Sequence, residues 1–394
     1  MPSNDAAPGP DPAPRGAPTG APGPGPTRGT SRRTFLFGGL AFGSTAFLAA
    51  CTSNSVGGDT TTAGTTAGPT TSAGTASGTG AVTSSSAAVT DNPGGKMVKI
   101  GFSAPAADHG WMASITDQAR KFADSMTDIE ANFVEGTNDV NQQISQVETL
   151  INAGVDAIVL LPFDGAQMTE VARKAMDAGI EVVNVDRVFS SPFSYRTYIG
   201  GDNYGMGVSA GTFIGQQLKD NGVTDPVIAE IQGIASLPLT VDRSKGFADA
   251  LNTFGFSVTN QVSAEFTADS GEEVTANLLQ AAPRIDAIWN HDDDQGVGVL
   301  AAIETAGRSE FFMVGGAGSA NVMRAIKDDN TVLKATVIYP STQAASGVEL
   351  ARLLVLEKGM SDLEELEVPK SITLFSAVVT KENVDSYLPS AFES

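Results

Sequence analysis

The sequence predicts an α/β protein with two doubly wound parallel sheets, preceded by a segment that joins neither sheet. Short apolar runs alternate with amphipathic stretches of helical length from residue 96 onward. Runs such as 181–185, with three valines, have the near-continuous apolar character of strands that are buried on both faces. The same alternation starts again after residue 201, so two sheets are expected in succession.

The first unit begins with a strand and an amphipathic helix in which Ile115, Ala119, Phe122 and Met126 recur at helical spacing. Because strands separated by helices of this length pair through right-handed crossovers, a parallel sheet follows. Its strands are predicted at 98–102, 129–134, 157–161 and in the stretch 181–187, and its helices at 111–126, 140–152 and 166–178. The alternation repeats after the stretch 198–201.

The second unit repeats this order with its own strands and helices, without a sequence repeat that would indicate a solenoid. Helices are predicted at 203–219, 240–254, 271–282, 295–306, 319–328 and 341–358, and strands at 227–231, 256–263, 287–289, 311–314 and 333–338.

The N-terminal part of the chain has the composition of an export signal followed by a tether. Arg32 and Arg33 precede an uncharged apolar run and resemble a twin-arginine export signal. The run ends at Cys51, and residues 48–51 resemble the lipobox of bacterial lipoproteins. Residues 1–50 are therefore expected to be a signal region, with Cys51 lipidated. Residues 51–95, rich in Ser, Thr and Gly, are expected to be a flexible tether.

The charge and the cysteine content exclude several functions. The formal net charge is −21, from 45 acids and 24 bases, and such a field disfavours nucleic acid as a partner. A single cysteine excludes an intrachain disulfide and a cysteine metal cluster. The acidic run 291–294 lacks the glycine and the acid of a calcium-binding EF-hand loop, and no nucleophile elbow, Walker loop or zinc-peptidase helix is present. No catalytic residue, cofactor or metal is predicted.

A candidate polar site lies at the end of the valine-rich strand, where Asp186 and Arg187 stand side by side. Open parallel sheets bind ligands beyond the carboxyl ends of their strands. A carboxylate accepts hydrogen bonds from hydroxyls and a guanidinium donates several, so the pair suits a small polyhydroxylated ligand. An exposed ion pair of little energetic value would have the same sequence, and the residues alone do not separate these readings.

The body of the chain, residues 96–394, resembles the ribose-binding type of periplasmic sugar-binding protein, the solute receptors of ABC importers. The matching segments agree in order and spacing. They are an opening strand that ends in Ser103, the Val185–Arg187 strand end, and the stretches 199–203, 230–234, 242–247, 291–298 and 334–337.

The resemblance implies a periplasmic binding protein type 1 fold, in which two lobes are joined by three crossings and bind ligand in the cleft between them. The crossings are expected near Asp202, Tyr339 and Pro369. The N-terminal lobe would then comprise 96–201 and 340–369, and the C-terminal lobe 202–339 and 370–394.

The same resemblance implies a set of ligand-binding residues. They are Ser103, Asp108, His109, Trp111, Asp186, Arg187, Arg243, Phe266, Asp292 and Tyr339. Taken without the resemblance, Trp111 could be a core residue and Arg243 a solvated helix residue. Asp292 is expected to bind ligand while a neighbouring acid caps the following helix, although all three acids at 292–294 could simply cap that helix.

The sequence departs from ribose binders at several of these positions. The segment around Asp108 and His109 is longer by two residues, so either side chain could reach the ligand. Asp292 stands where asparagine is usual, and 315–318 contains no carboxylate. The expected ligand is therefore a monosaccharide, sugar acid or polyol other than ribose.

The expected function is that of an extracytoplasmic lipoprotein, anchored to the outer face of the cytoplasmic membrane, that delivers a sugar or polyol to an ABC permease. A binding module that feeds a membrane sensor would use the same cleft. An extracytoplasmic enzyme on the same scaffold is a further alternative.

Overall fold

In the computed structural model, the described residues are Asn92, 95–358 and 367–394. The predicted export signal, the predicted lipidation site Cys51 and most of the predicted tether lie outside these residues. Of the helices within the described ranges, none combines the length and apolar character needed to cross a bilayer.

The order of elements follows the predicted alternation. The first half contains β1 (Val98–Ser103), α1 (Gly110–Ser125), β2 (Ile129–Phe133), α2 (Val140–Ala153), β3 (Ala157–Leu160), α3 (Gly165–Asp177), β4 (Glu181–Val185) and β5 (Thr197–Gly201). The second half contains α4 (Asn203–Asp220), β6 (Ile228–Gln232), α5 (Pro238–Thr253), β7 (Asn260–Ser263), α6 (Ala268–Ala281), β8 (Ala287–Asn290), α7 (Asp293–Thr305), β9 (Phe312–Ala317), α8 (Ala320–Asp328) and β10 (Leu333–Ile338). The chain ends with α9 (Gln343–Val355), β11 (Ser371–Leu374), β12 (Val378–Thr380) and α10 (Val384–Tyr387).

These strands form two separate sheets. The first has the order β11-β5-β4-β3-β1-β2, and its strands are parallel throughout. The second has the order β12-β10-β9-β8-β6-β7, with β12 as an antiparallel edge strand. The central strands β3 and β8 are buried along their whole length, which explains their continuous apolar sequences. The predicted two-lobed, doubly wound α/β class is confirmed.

Aspartate side chains cap the N-termini of several helices. Asp139 accepts hydrogen bonds from the backbone N–H groups at positions 141 and 142, and Asp164 accepts one from Gln167 N. Asp202 caps α4 through Gly205 N in the same way. An acid at this position satisfies N–H groups that the helix itself leaves without partners and interacts favourably with the helix dipole.

Three segments of chain cross between the lobes. The first lies at Asp202, between β5 and α4, and the second at Tyr339, between β10 and α9. The third lies between Leu374 and Val378, since β11 pairs in parallel with β5 of the first sheet.

The expected third crossing near Pro369 and the assignment of residues 370–374 to the C-terminal lobe are therefore wrong. The resemblance placed this crossing too early in the chain, because β11 begins after Pro369 and forms the edge of the first sheet, where a preceding proline disrupts no ladder. We propose lobe boundaries of 96–201 with 340–358 and 367–374 for the first lobe, and 202–339 with 375–394 for the second.

A buried ion pair fastens the returning helix α9 to the first lobe. Arg352 donates from Nε to Asp128 Oδ1 at 3.0 Å and from Nη2 to Asp128 Oδ2 at 2.8 Å. The side chains are 5% and 9% exposed. Hydrogen bonding from Arg352 lowers the pKa of Asp128, although burial opposes this effect. Because α9 follows the second crossing, this pair fixes where the chain rejoins the first lobe.

Replacing Asp128→Ala should lower the free energy of unfolding by roughly 1.5–3 kcal/mol, because the buried Arg352 would lose its hydrogen-bonded partner Asp128 and keep the longer contact with Glu349. The control is Asp117→Ala, which removes the exposed i,i+4 pair with Lys121 and should change stability little. Urea denaturation measures the free energy of unfolding of both variants.

The stabilisation by Asp128 depends on pH. Since the pKa of Asp128 is lowered in the folded state, its contribution to stability is present above the unfolded pKa of about 4 and is lost as the pH falls further. Equal effects of the two substitutions at pH 7 would contradict this assignment.

Candidate ligand-binding site

A cavity lies between the two lobes, beyond the carboxyl ends of the parallel strands. Its wall contains every predicted site residue except Ser103 and Asp108. The lining residues are His109, Trp111, Met112, Asp186, Arg187, Leu239, Arg243, Phe266, Asp292 and Tyr339. The residues up to Arg187 belong to the first lobe and those from Leu239 to Asp292 to the second, while Tyr339 lies at a crossing. Residues distant in the sequence thus meet in one crevice.

Asp186 follows β4 in a backbone conformation that aspartate rarely adopts, with φ of 62°. Several bonds hold it there. Its N–H donates to Ile199 O at 2.9 Å, and its carbonyl oxygen accepts from the Tyr198 hydroxyl at 2.9 Å. The Tyr339 hydroxyl donates to Asp186 Oδ1 at 2.5 Å. Such conformations persist only where the surroundings impose them, and they occur often at binding sites.

Arg187 is buried beside this carboxylate, with Nε 3.9 Å from Asp186 Oδ2. Its Nη1 donates to Phe163 O at 2.7 Å. Burial lowers the pKa of Arg187, and the charge of Asp186 opposes that shift. Within the part of the chain that the structure describes, the buried Nε atom has no hydrogen-bond partner. A buried donor of this kind normally has a partner, so the cavity presents a charged donor that a ligand oxygen could satisfy.

Arg243 approaches the cavity from α5 of the second lobe. Its Nε donates to Asn203 Oδ1 at 2.9 Å and its Nη1 donates to His291 O at 3.2 Å. The guanidinium carbon lies 4.6 Å from the centre of the Tyr339 ring. These contacts fix the plane of the guanidinium, so its remaining N–H groups are oriented before any ligand enters.

Aromatic and apolar groups form the rest of the wall. The rings of Trp111 and Tyr339 lie 5.6 Å apart, and the Trp111 indole Nε1 donates to Tyr339 O at 3.2 Å. Phe266 has φ of 64°, and its ring lies so close to Gly233 that a Cβ there would be 1.9 Å from Phe266 Cε1. Glycine at 233 is therefore what allows the ring to occupy its place.

The three consecutive acids at the start of α7 have different roles. Asp292 is the N-cap, accepting from Asp294 N at 2.8 Å and Gln295 N at 3.2 Å, and it also lines the cavity. Burial raises the pKa of Asp292, and the charges of its two acidic neighbours add to this effect.

The other two acids bind backbone elsewhere. Asp293 accepts from Gly316 N, Gly318 N and Ser319 N, each at 2.8 Å, and so holds the turn after β9. Asp294 accepts from Trp111 N of the first lobe at 2.7 Å. The expectation that a neighbour of Asp292 caps this helix is wrong, because Asp292 itself is the cap. The alternative in which all three acids cap their own helix is also wrong, since of the three only Asp292 does so with its side chain.

Asp108 and His109, the two residues predicted as alternatives for contact with the ligand, lie in different positions. His109 lines the cavity, whereas Asp108 is not among the lining residues and contacts His109 Nδ1 through Oδ1 at 2.6 Å. Ser103 is buried at the end of β1, where it accepts from Gln143 Nε2 at 3.2 Å. Neither Ser103 nor Asp108 lines the cavity as described. Their side chains contact neighbouring loops and helices, and a role for either residue in ligand binding stays a prediction.

Other residues of the site were not predicted. Met112 and Leu239 add apolar wall, and Asn203 links Arg243 to Tyr339, donating from Nδ2 to the Tyr339 hydroxyl at 3.2 Å. Asn203 belongs to the stretch 199–203, which carries part of the family resemblance, but no role was predicted for it. Met112 and Leu239 carry no signal that distinguishes them from ordinary core residues. Among the described residues, no cluster of three or more His, Cys, Asp or Glu side chains could hold a metal ion.

The profile of the periplasmic binding protein domain family matches residues 100–359. The chain belongs to this family. The predicted resemblance to its ribose-binding type is confirmed. Membership implies a site of action outside the cytoplasm.

Individual relatives agree with this assignment. The ribose import binding protein of Bacillus subtilis is 32% identical over 240 residues, which cover 61% of this chain and 73% of that protein. An ABC transporter solute-binding protein from Mycobacterium smegmatis, solved with bound glycerol, is 25% identical with a TM-score of 0.67, covering 76% of this chain and 99% of that one. The fructose-binding periplasmic domain of a hybrid two-component system is 27% identical with a TM-score of 0.65, covering 74% and 93%.

Replacing Tyr339→Phe should lower the free energy of unfolding by roughly 1–3 kcal/mol, because the buried Asp186 carboxylate would lose its hydroxyl donor. Urea denaturation of the ligand-free protein is the measurement. Tyr387→Phe, at a half-buried position in α10 outside the cavity, is the matched control and should have little effect. If both substitutions cost the same, the proposed importance of the hydroxyl for Asp186 is wrong.

Proposed function

We propose that the protein is an extracytoplasmic solute-binding lipoprotein that captures a monosaccharide or polyol and delivers it to an ABC permease. The observation that supports this most is the cavity between the lobes, in which oriented charged groups and aromatic faces converge. A closing, water-excluded cleft strengthens hydrogen bonds between charged side chains and ligand hydroxyls.

The chemistry of the wall favours a small hydroxyl-rich ligand. Arg187 and Arg243 supply donors, while Asp186 and Asp292 supply acceptors. Trp111 and Phe266 offer flat apolar surfaces against which the C–H face of a sugar ring can pack.

The similar proteins support the same class of ligand. The Bacillus subtilis relative is a ribose import protein and the Mycobacterium smegmatis protein contains glycerol. In our proposal, ligand bound to one lobe recruits the other, and the closed form is the one that the permease recognises. No bond in the ligand is made or broken, so the ligand should be recovered chemically unchanged, which also tests the enzyme alternative.

A second candidate function is ligand binding for a membrane sensor. The fructose-binding domain of a hybrid two-component system has the same fold and 27% identity, and that protein belongs to a signalling system. The cleft would serve either role. Loss of ligand uptake after deletion of the gene favours import, whereas unchanged uptake with altered transcription favours sensing.

The pocket assignment is tested by Arg187→Ala and Arg243→Ala. Each should weaken binding more than about tenfold, equivalent to 1.4 kcal/mol, because a charged donor to the ligand is lost. A thermal-shift screen of sugars and polyols identifies the ligand, and isothermal titration calorimetry measures its affinity. Arg173→Ala, which removes an exposed pair with Asp177 on α3, is the control and should leave the affinity unchanged. If both cavity variants bind ligand with the wild-type affinity, the assignment of this pocket as the ligand-binding site is wrong.

The lipid anchor is tested by Cys51→Ser in the full chain. Since Cys51 is the single cysteine, this substitution removes the only thiol that could carry the lipid. We expect the wild-type protein in the membrane fraction and the variant in the soluble extracytoplasmic fraction, as measured by fractionation and immunoblotting. A variant that sediments with membranes like the wild type would exclude lipidation at this residue.

A further inference from the structure

Helix α1 of the first lobe begins at Gly110 without a cap from its own segment. Its N-cap residue is His109, and within the described residues the His109 side chain makes no capping hydrogen bond. That side chain is instead bonded to Asp108. The first N–H groups of a helix need partners from outside the helix, so α1 requires an acceptor from another part of the chain.

Asp294 of the second lobe supplies that acceptor. Its Oδ2 accepts from Trp111 N at 2.7 Å, and the residue is 5% exposed. Asp294 lies in the first turn of α7, so its carboxylate stands near the N-terminal ends of two helices, one in each lobe. Both helix dipoles favour a negative charge at this point.

Atoms of the second lobe pack closely against Gly110 at the start of α1. A Cβ at Gly110 would lie 2.7 Å from Asp294 Oδ1 and 2.4 Å from the backbone oxygen of Glu393. The latter atom belongs to the segment that joins the second lobe, where Phe392 O accepts from Ala320 N. Glycine at 110 thus permits the close approach that the Asp294 bond requires.

We propose that Asp294 is a latch for the closed form: it caps α1 across the cleft and stabilises lobe closure without touching the ligand. This inference rests on the proposed function for its role in ligand capture. Asp294 does not belong to the cavity wall, whereas the residue it binds, Trp111, does. The bond joins the two lobes directly, so it breaks when they separate.

A contact made only in the closed form adds the same free energy of closure whatever the ligand. Removing it therefore lowers the affinity for every ligand by one common factor and leaves the ratios between ligands unchanged. The loss falls on dissociation, because the open form that ligand first meets is unaltered. A residue that contacts ligand would instead change the ratios.

The test compares Asp294→Ala, which removes the acceptor, with the wild type and with Asp269→Ala, at an exposed first-turn acid of α6 on the same lobe. Spin labels at Lys121→Cys and Lys245→Cys, exposed positions on opposite lobes, report the distance between them in a full-length Cys51→Ser background. Without ligand, Asp294→Ala should shift the population towards the open-state distance, and Asp269→Ala should not. Gly110→Ala, which obstructs the same contact sterically, should act like Asp294→Ala.

Ligand kinetics provide the second measurement, with two chemically different ligands from the thermal-shift screen and stopped-flow tryptophan fluorescence as the signal. Asp294→Ala should raise both dissociation rates about tenfold by the same factor, with little change in association. The proposal is overturned if the ligand-free distances match the wild type, if dissociation is unchanged, or if the factors differ between ligands. If no sugar or polyol binds, the proposed function fails, while the distance measurement still decides whether Asp294 holds the lobes together.

Discussion

A chain of hydrogen bonds from Asp186 to Arg243 determines how the cavity is built. The Tyr339 hydroxyl donates to Asp186, Asn203 donates to that hydroxyl, and Asn203 Oδ1 accepts from Arg243. Buried charges are costly unless they are paired and hydrogen-bonded, and here neutral groups orient one charge from each lobe. Asn203 and Tyr339 lie at two of the crossings, so the segments that join the lobes also orient the charged groups. The conformation of the crossing segments and the orientation of the charged cavity residues are therefore linked.

Backbone strain at the cavity depends on the same packing. Asp186 and Phe266 both have positive φ, which costs free energy for residues other than glycine. The bonds around Asp186 and the close contact between Phe266 and Gly233 maintain these conformations. Nothing in the local sequence indicates them, since both residues follow strands or loops of ordinary composition. They are imposed by contacts between segments that are distant in the chain.

This difference between local and distant contacts explains what the sequence could predict. Alternation of strands and helices is visible because central strands such as β3 are buried on both faces and each helix has a buried stripe. The edge strand β11 was missed since its four residues form a sheet only by pairing with β5, far earlier in the chain. The cavity residues were predicted through resemblance to a family, whereas the choice between Asp108 and His109 needed the path of the loop that carries them.

The acids at 292–294 show why composition alone cannot assign roles. Successive residues in a helix point about 100° apart, so three neighbouring carboxylates at one helix start face three different surroundings. Asp292 faces its own helix end and the cavity, Asp293 the turn after β9, and Asp294 the helix of the opposite lobe. If any of these carboxylates pointed towards its neighbour's surroundings instead, the backbone N–H groups that donate to it would lose their acceptor. An acidic run that resembles a solvated helix start in the sequence thus becomes three separate structural constraints, and one of them joins the lobes.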